Sequence, residues 1–226
     1  MSNMPDPCLR RTPFLDFDHP DVLDFARRNA GTGSPREMAV RLNLAVRDGI
    51  RYDPYSFRLE PQAYRASHCL AARAGFCVPK AILLAACARA VGIPSRLGYA
   101  NVRNHLSSPR LSELMGSDIF RWHGYTLLQI DGNWLKATPA FDLALCERFG
   151  VNPLEFDGMG DSVFHQFDAS GRRHMEYLDD LGEFDDFPQA AFLADMRTHY
   201  PRMIEMLEAG VALKRESADD RFGAGS

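Results

Sequence analysis

Apolar and polar positions alternate with a helical period in the first part of the chain. Ser34-Pro35-Arg36-Glu37 combines a capping serine, a proline in the first turn and a glutamate three residues after the cap, which is typical of a helix start. Met38, Leu42 and Ala45 then recur on one face, and Gly49 ends the pattern. The sequence therefore predicts an amphipathic helix over about residues 34–47.

Two further stretches also predict helices before residue 92. One runs roughly from Gln62 to Arg73. The other begins at Cys77, is strongly apolar, and closes at Gly92 with a proline two residues beyond, which is a typical stop signal. Between the first and second helices, Ile50-Arg51-Tyr52 predicts a short strand.

Strand patterns replace the helical ones after this point. Ser95–Val102 predicts one strand. Trp122–Ile130 and Trp134–Thr138 predict two more, joined by Asp131-Gly132-Asn133, which is a strong turn signal. The last two strands are therefore expected to form a hairpin.

The rest of the chain is predicted to consist mostly of loops. Short helices are expected at Leu143–Phe149 and Pro188–Tyr200. Residues 1–19 are expected to form an irregular arm, and residues 215–226 a frayed tail. Because neither a repeat nor a linker divides the chain, we predict a single domain over residues 1–214. Helices followed by strands predict an α+β fold.

Composition and charge exclude several classes of protein. Of the 226 residues, 46% are hydrophobic and 25% charged, which excludes a wholly disordered chain and a collagen-like repeat. A net charge of -4 argues against a nucleic-acid partner. No apolar run reaches the ~20 residues of a membrane helix, and no signal peptide is apparent, so no membrane partner is expected. The five cysteines are interpreted as reduced thiols, which predicts a cytoplasmic protein.

A glycine-containing turn, Arg73-Ala74-Gly75-Phe76, delivers Cys77 to the start of the apolar helix. Unpaired backbone N–H groups and the helix dipole favour a negative charge there, and the thiolate is the reactive form of cysteine. We therefore expect the pKa of Cys77 to lie at least one unit below that of an ordinary cysteine. Lys80 is on the same helix face and is interpreted either as a solvated lysine or as a sign of a nearby anionic group.

His123 lies at the beginning of one predicted hairpin strand. A histidine in this place can accept the thiol proton of Cys77 and later protonate a leaving amine. The alternative is a half-exposed strand histidine without a role. Neither segment identifies a function by itself.

Together the two segments resemble the core of the transglutaminase-like superfamily over roughly residues 62–142. The family pattern is G-x-C, a helix, G-I-P-A-R-x-V, a strand, H-x-W, a hairpin and W-x-x-x-D. The matching residues here are Gly75-Phe76-Cys77, Gly92-Ile93-Pro94-Ser95-Arg96, His123 and Trp134, with Tyr125 in place of the second aromatic residue.

The resemblance implies a papain-like arrangement, in which a cysteine helix packs against an antiparallel sheet that carries a histidine and an acidic residue. It implies Cys77 as nucleophile and His123 as general base. It implies no calcium site, because no EF-hand loop is present, and we expect neither a cofactor nor a metal.

The third catalytic position differs from the family pattern. The family aspartate falls on Thr138 here, and the nearest carboxylate downstream is Asp142. If paired residue numbers in the hairpin sum to 265, Asp142 lies opposite His123, whereas a sum of 263 places Ala140 there. Because only a charged group stabilises an imidazolium, we predict that Asp142 orients His123 and that the Thr138 hydroxyl assists.

These residues predict an amide hydrolase or acyl transferase that acts through a thioester on a peptide or small amide. Hydrolysis is favoured over crosslinking, since nothing implies a second protein substrate. One alternative is an arylamine N-acetyltransferase-type enzyme, because Arg73-Ala74-Gly75-Phe76-Cys77 partly matches R-G-G-x-C. Another is a catalytically idle peptide-binding module, which Thr138 keeps open.

The other histidines and cysteines have simpler interpretations. His105 is the alternative base, and His165 lies in a late loop that can fold over the site. His68-Cys69 has no C-x-x-C partner, so a zinc site is not expected. Cys87 and Cys146 are interpreted as packing residues.

Overall fold

Helices dominate the first ninety residues, as the apolar period of that region predicts. The computed structural model describes residues 6–105, 107–163 and 174–213. Its α-helices are α1 (Pro20–Ala30), α2 (Pro35–Gly49), α3 (Ala66–Ala72), α4 (Cys77–Ala90), α5 (Pro109–Met115), α6 (Leu143–Phe149), α7 (Gln189–His199) and α8 (Pro201–Glu208). Short 3-10 helices lie at Pro7–Leu9, Pro54–Ser56 and Pro61–Tyr64.

The strands form two separate sheets. They are β1 (Arg51–Tyr52), β2 (Ala74–Gly75), β3 (Ser95–Asn104), β4 (Ile119–Ile130), β5 (Asn133–Ala137) and β6 (Met175–Phe184). The strands β1 and β2 pair in parallel as a two-stranded ribbon, and the others form an antiparallel sheet in the order β5-β4-β3-β6. The predicted hairpin is confirmed.

A tight turn closes that hairpin. Ile130 pairs with Asn133, so the loop between the strands is the dipeptide Asp131-Gly132. Both residues have positive φ angles, 51° and 84°, as a type I′ turn requires. The turn signal in the sequence therefore fixes both the position of the hairpin and its register.

The central element of the fold is α4. Its residues from Cys77 to Arg89 are all buried, because the helix packs on β3 and β4 on one side and on α1, α2 and α3 on the other. The Thr126 hydroxyl of β4 donates to the Ala81 carbonyl at 2.8 Å and fixes the strand to the helix. The predicted α+β class, with the cysteine helix on an antiparallel sheet, is confirmed.

Lys80 is buried completely inside this packing. Its ammonium group donates to the carbonyl oxygens of Arg47 and Ile50, at 2.9 and 2.5 Å, and so satisfies the end of α2. Burial lowers the pKa of Lys80 to about 8, and the Asp142 carboxylate acts in the opposite direction. A solvated Lys80 is therefore wrong: its ammonium group is buried on two backbone carbonyl oxygens.

Three helices, α1, α5 and α8, and two strands, β2 and β6, go beyond the predicted elements. The helix α5 lies where the sequence looks like a polar loop, and its cap is Ser108, whose hydroxyl accepts the Leu111 N–H. The strand β6 is rich in acidic residues, which by themselves are typical of a solvated surface. It is the edge strand beside β3. The helices α1 and α8 complete this set, each beginning with a proline.

No helix in the described parts of the chain has the length and apolar character needed to cross a membrane. The predicted tail over residues 215–226 and the loop residue His165 lie outside the described residues.

Candidate active site

The β1–β2 ribbon delivers the cysteine to its helix. Arg51 pairs with Ala74 and Tyr52 with Gly75, and α4 begins two residues after Gly75. A Cβ atom at Gly75 would lie 3.0 Å from the Pro79 side chain, so the ribbon approaches α4 more closely than a side chain there permits. The chain therefore leaves the ribbon and places Cys77 directly at the first residue of the helix.

The Cys77 thiol is surrounded by backbone amides but is poorly hydrated. Only 7% of the residue is exposed, and burial raises the pKa of its thiol to about 11. Hydrogen bonds from the backbone of Gly124, Val78 and Cys77 itself act in the opposite direction, since N–H groups stabilise a thiolate. The expected acidic thiol is therefore wrong, because desolvation outweighs the helix start.

Gly124 brings β4 against the start of α4. A Cβ atom at this position would lie 3.0 Å from the Val78 Cα and 3.3 Å from the Cys77 carbonyl oxygen. Only glycine therefore lets the strand approach this closely. Because Gly124 directly follows His123, the structure brings the two predicted catalytic residues into the same region.

A β-bulge precedes His123. Ala100 pairs with His123 and Val102 with Phe120, so two β4 residues face one residue of β3. Within the bulge, Trp122 has a φ of 58°, which is unusual for a residue with a side chain. Bulges often lie beside active sites, where they redirect a side chain, and this one sets the direction of His123.

The His123 imidazole is buried and neutral. Only 4% of the residue is exposed, and burial lowers its pKa to about 4, while a hydrogen bond with the Val163 backbone acts in the opposite direction. The Nε2 atom has no hydrogen-bond partner among the described residues, and within the same set no hydrogen bond joins the imidazole to the thiol. The resting site therefore holds an uncharged imidazole with one open nitrogen.

The hairpin register overturns the pairing that favours Asp142. Since Ile130 pairs with Asn133, paired numbers sum to 263 rather than 265, and the pairing ends at Thr126 and Ala137, before it reaches His123. The Asp142 carboxylate instead accepts the Leu145 N–H as the cap of α6, at 2.9 Å, and the Tyr52 N–H of β1, at 2.7 Å. The expected pairing of Asp142 with His123 is therefore corrected: the carboxylate holds the start of α6 and the β1–β2 ribbon.

Thr138 lies at the end of β5, beside the segment that contacts His123. Its N–H donates to the Ser162 carbonyl at 2.9 Å, and Val163 is the next residue. The Thr138 hydroxyl is buried and has no hydrogen-bond partner within the described ranges. The family acid position therefore carries a buried hydroxyl without a hydrogen-bond partner in the described ranges, next to the segment that binds His123.

The remaining candidates lie elsewhere in the fold. His105 follows β3, and its Nε2 atom lies 3.7 Å from a Glu176 carboxylate oxygen. Cys87 and Cys146 are buried, as expected for packing residues, and burial raises the pKa of both thiols. Across the described residues, no cluster of three histidine, cysteine or acidic side chains can hold a metal ion.

An apolar cleft opens at Cys77, and sequence reasoning misses it. Its walls come from α5, from α7 and α8, and from the aromatic residues that precede α4. Since α5 and α8 are not among the predicted elements, the sequence does not predict that their apolar residues share a surface.

The labelling rate of Cys77 is expected to rise about tenfold per pH unit between pH 7 and pH 10. The reason is that the thiolate fraction grows tenfold per unit below a pKa of about 11. Iodoacetamide labelling with site-resolved mass spectrometry measures this, and free glutathione, whose rate levels off near pH 9, is the control. A plateau for Cys77 below pH 9 would contradict the prediction and restore the acidic thiol.

Comparisons with known proteins agree with the site in one respect. A family model of the Transglutaminase-like superfamily matches residues 24–139, just over half of the chain. This segment contains both Cys77 and His123. No curated protein matches the sequence.

Three solved structures are similar to the fold at low identity. A "Putative Cysteine Protease" from Cytophaga hutchinsonii is 17% identical, with a TM-score of 0.45, over 78% of this chain and 53% of that one. A "putative protease" from Parabacteroides distasonis is 18% identical, with a TM-score of 0.38, over 54% and 25%. The arylamine N-acetyltransferase from Mycobacterium abscessus is 16% identical, with a TM-score of 0.34, over 58% and 46%. The chain thus spans about half of the length of the first of these proteins.

Proposed function

The chain belongs to the transglutaminase-like superfamily, and from this premise we propose that it is an amide hydrolase or acyl transferase with Cys77 as nucleophile. One observation carries the proposal. Cys77 is the first residue of a buried helix, its sulfur is met by backbone N–H groups, and it opens onto a cleft that can hold an acyl group. A cysteine that only packs the core needs neither the amides nor the cleft.

The proposed reaction has two halves. The Cys77 sulfur attacks the carbonyl carbon of an amide, the C–S bond forms, and the carbonyl oxygen becomes an oxyanion. The N–H groups at the start of α4 stabilise developing negative charge. The His123 imidazole takes the thiol proton and gives it to the amine as the C–N bond breaks. Water then attacks the thioester, the C–S bond breaks, and the imidazole passes a proton from the water to the departing sulfur.

The pKa values determine when the proton moves. Burial raises the pKa of the Cys77 thiol and lowers the pKa of the His123 imidazole, so it favours the neutral form of both groups at rest. One pKa unit corresponds to about 1.4 kcal/mol, so a resting ion pair is unfavourable. We therefore propose that the proton passes from Cys77 to His123 only as the sulfur attacks, when the two opposite charges form together.

Asp142 and Lys80 support the site at a distance. The Asp142 carboxylate holds the Tyr52 N–H, and the Lys80 ammonium holds the Ile50 carbonyl, so both fix the chain on either side of β1. Because β1 pairs with the strand that leads to Cys77, we propose that these two residues position the nucleophile. The Thr138 hydroxyl then occupies the position of the family's catalytic aspartate.

The substrate class we propose is a peptide or a small amide, with water as the acceptor. A catalytically idle peptide-binding module is the second candidate, and the specific observation in its favour is the hydroxyl of Thr138 where the family has a carboxylate.

The proposal is tested by trapping the acyl enzyme. The protein is mixed with p-nitrophenyl butyrate, quenched in acid and digested, and the butyryl group is located by mass spectrometry. We expect one butyryl group per chain, on Cys77, together with release of p-nitrophenol that continues beyond one equivalent. A Cys77→Ala protein is the control. Modification of other cysteines alone, or no modification, would favour the idle module.

A further inference from the structure

We propose that the acyl group accepted by Cys77 is short and apolar, rather than a polar carboxamide or carboxylate side chain. This inference rests on the proposed function and names the substrate class of the same site. It is drawn from the walls of the cleft, from the state of the polar groups in it and from its size.

The walls of the cleft are aliphatic and aromatic. Helix α5 contributes Leu111 and Met115, and the C-terminal helices contribute Phe192, Met196 and Met203. All five side chains are buried, and they face the same space as the Cys77 thiol. An apolar group that enters this space leaves water for apolar surroundings, which is favourable in proportion to its area.

Two polar side chains at the cleft, Arg121 and Tyr200, are engaged with other partners. Arg121 is the one charged residue among the described lining residues. It forms a bidentate ion pair with Asp195, in which Nε and Nη2 donate to the two carboxylate oxygens at 2.5 and 2.9 Å. The Tyr200 hydroxyl donates to the Ile119 carbonyl and accepts the Arg121 N–H. A carboxamide or carboxylate placed here would lose its water without gaining these donors, which is unfavourable.

The cleft is small. Its volume is about 60 Å³, less than half of the roughly 150 Å³ of an engineered apolar cavity that holds benzene. Because the cleft is open on one side, an aromatic ring would extend out of this volume rather than lie within it. A chain of three or four carbon atoms matches the available space better.

The two C-terminal helices are fixed to β4 immediately before His123. Asp195 of α7 accepts hydrogen bonds from Arg121 and from the Trp122 indole, and Tyr200 binds the backbone on both sides of Phe120. Both helices lie outside residues 24–139, the segment that matches the family. One wall of the acyl pocket is thus built by residues outside the family core, and hydrogen bonds hold this wall to β4.

The test compares p-nitrophenyl esters as substrates. Acetate, butyrate and hexanoate vary the length of the chain, and the succinate monoester matches butyrate in length but ends in a carboxylate. We expect butyrate to acylate Cys77 about fifteenfold faster than acetate, at roughly fourfold per methylene. Hexanoate is expected to be slower than butyrate, and succinate at least about a hundredfold slower.

A variant moves the length optimum. Met196→Ala removes a wall of the cleft. In this variant we expect hexanoate to acylate Cys77 faster than butyrate does. Met203→Ala on the neighbouring helix is expected to change the order in the same direction, and it serves if the first variant does not fold. Met206→Ala is the matched control, because Met206 packs against the core without lining the cleft, and it should keep the wild-type order.

The outcomes separate the two proposals. Acylation of Cys77 by all four esters at similar rates, or faster by succinate, would overturn the apolar pocket and leave the nucleophile in place. An unchanged chain-length order in folded Met196→Ala and Met203→Ala proteins would also overturn it. No acylation of Cys77 by any ester would overturn the proposed function and this inference with it.

Discussion

Replacement of Cys77 by serine is expected to lower the rate of ester and amide hydrolysis by about 10⁴-fold or more. A hydroxyl is far less acidic than a thiol, and an imidazole with a pKa of about 4 is too weak a base to compensate. The measurement is p-nitrophenol release under saturating substrate, with circular dichroism to confirm the fold.

Cys87→Ala is the matched control for this variant. Cys87 lies on the same helix and is also fully buried, so it reports any general cost of removing a sulfur atom from α4. We expect it to keep activity within about threefold. A Cys77→Ser protein that keeps its rate within tenfold would show that the nucleophile is another residue.

Replacement of His123 by glutamine is expected to lower turnover 10²–10⁴-fold, the usual range for loss of a positioned general base. The wild-type acid limb is expected near pH 4, well below that of an ordinary histidine, because burial favours the neutral imidazole. Activity is thus present above this pH and lost below it, as the base becomes protonated. The variant should lack this limb.

His105→Gln is the comparison for the base. His105 lies beside Glu176 rather than beside the turn that carries Cys77, so its replacement is expected to change the rate less than threefold. Both proteins are measured over pH 3–8. If His105→Gln loses more activity than His123→Gln, the assignment of the base moves to His105.

The elements that sequence predicts well are those with local signals. The capping box at Ser34 and Glu37 forms as expected, and Asp131-Gly132 makes the tight turn that defines the hairpin. The helix of Cys77 begins and ends within one residue of its predicted limits. In each case, the residues that fix the element lie within it or directly beside it.

The elements that sequence misses depend on distant partners. The strand β6 is rich in acidic residues, and it is a strand because the edge of β3 supplies its hydrogen bonds, while an edge strand tolerates charge. The polar start of α5 hides a helix that buries Leu111 and Met115. The local pattern shows neither the strand that pairs with β6 nor the core that buries the apolar residues of α5.

The same distinction explains the errors at the site. Two of the backbone groups at the Cys77 sulfur, those of Cys77 and Val78, belong to the helix start and are present as expected, while the third comes from Gly124 on β4. The burial that raises its pKa is a property of the folded chain, in which residues from Tyr52 to Met203 line the same cleft, and the local pattern does not show this packing. Likewise, the Asp142 carboxylate accepts a hydrogen bond from the Tyr52 N–H, ninety residues earlier. Its closeness to Thr138 in the sequence therefore does not predict its partner.

The burial of Cys77 has a consequence for its survival in an oxidising environment. Peroxides react with the thiolate form of cysteine, and they need access to the sulfur atom. A thiol that is 7% exposed and has a pKa of about 11 offers little of either. The residue is therefore expected to resist conversion to sulfenic and sulfinic acids, and under the proposed function the nucleophile would stay reduced until a substrate binds.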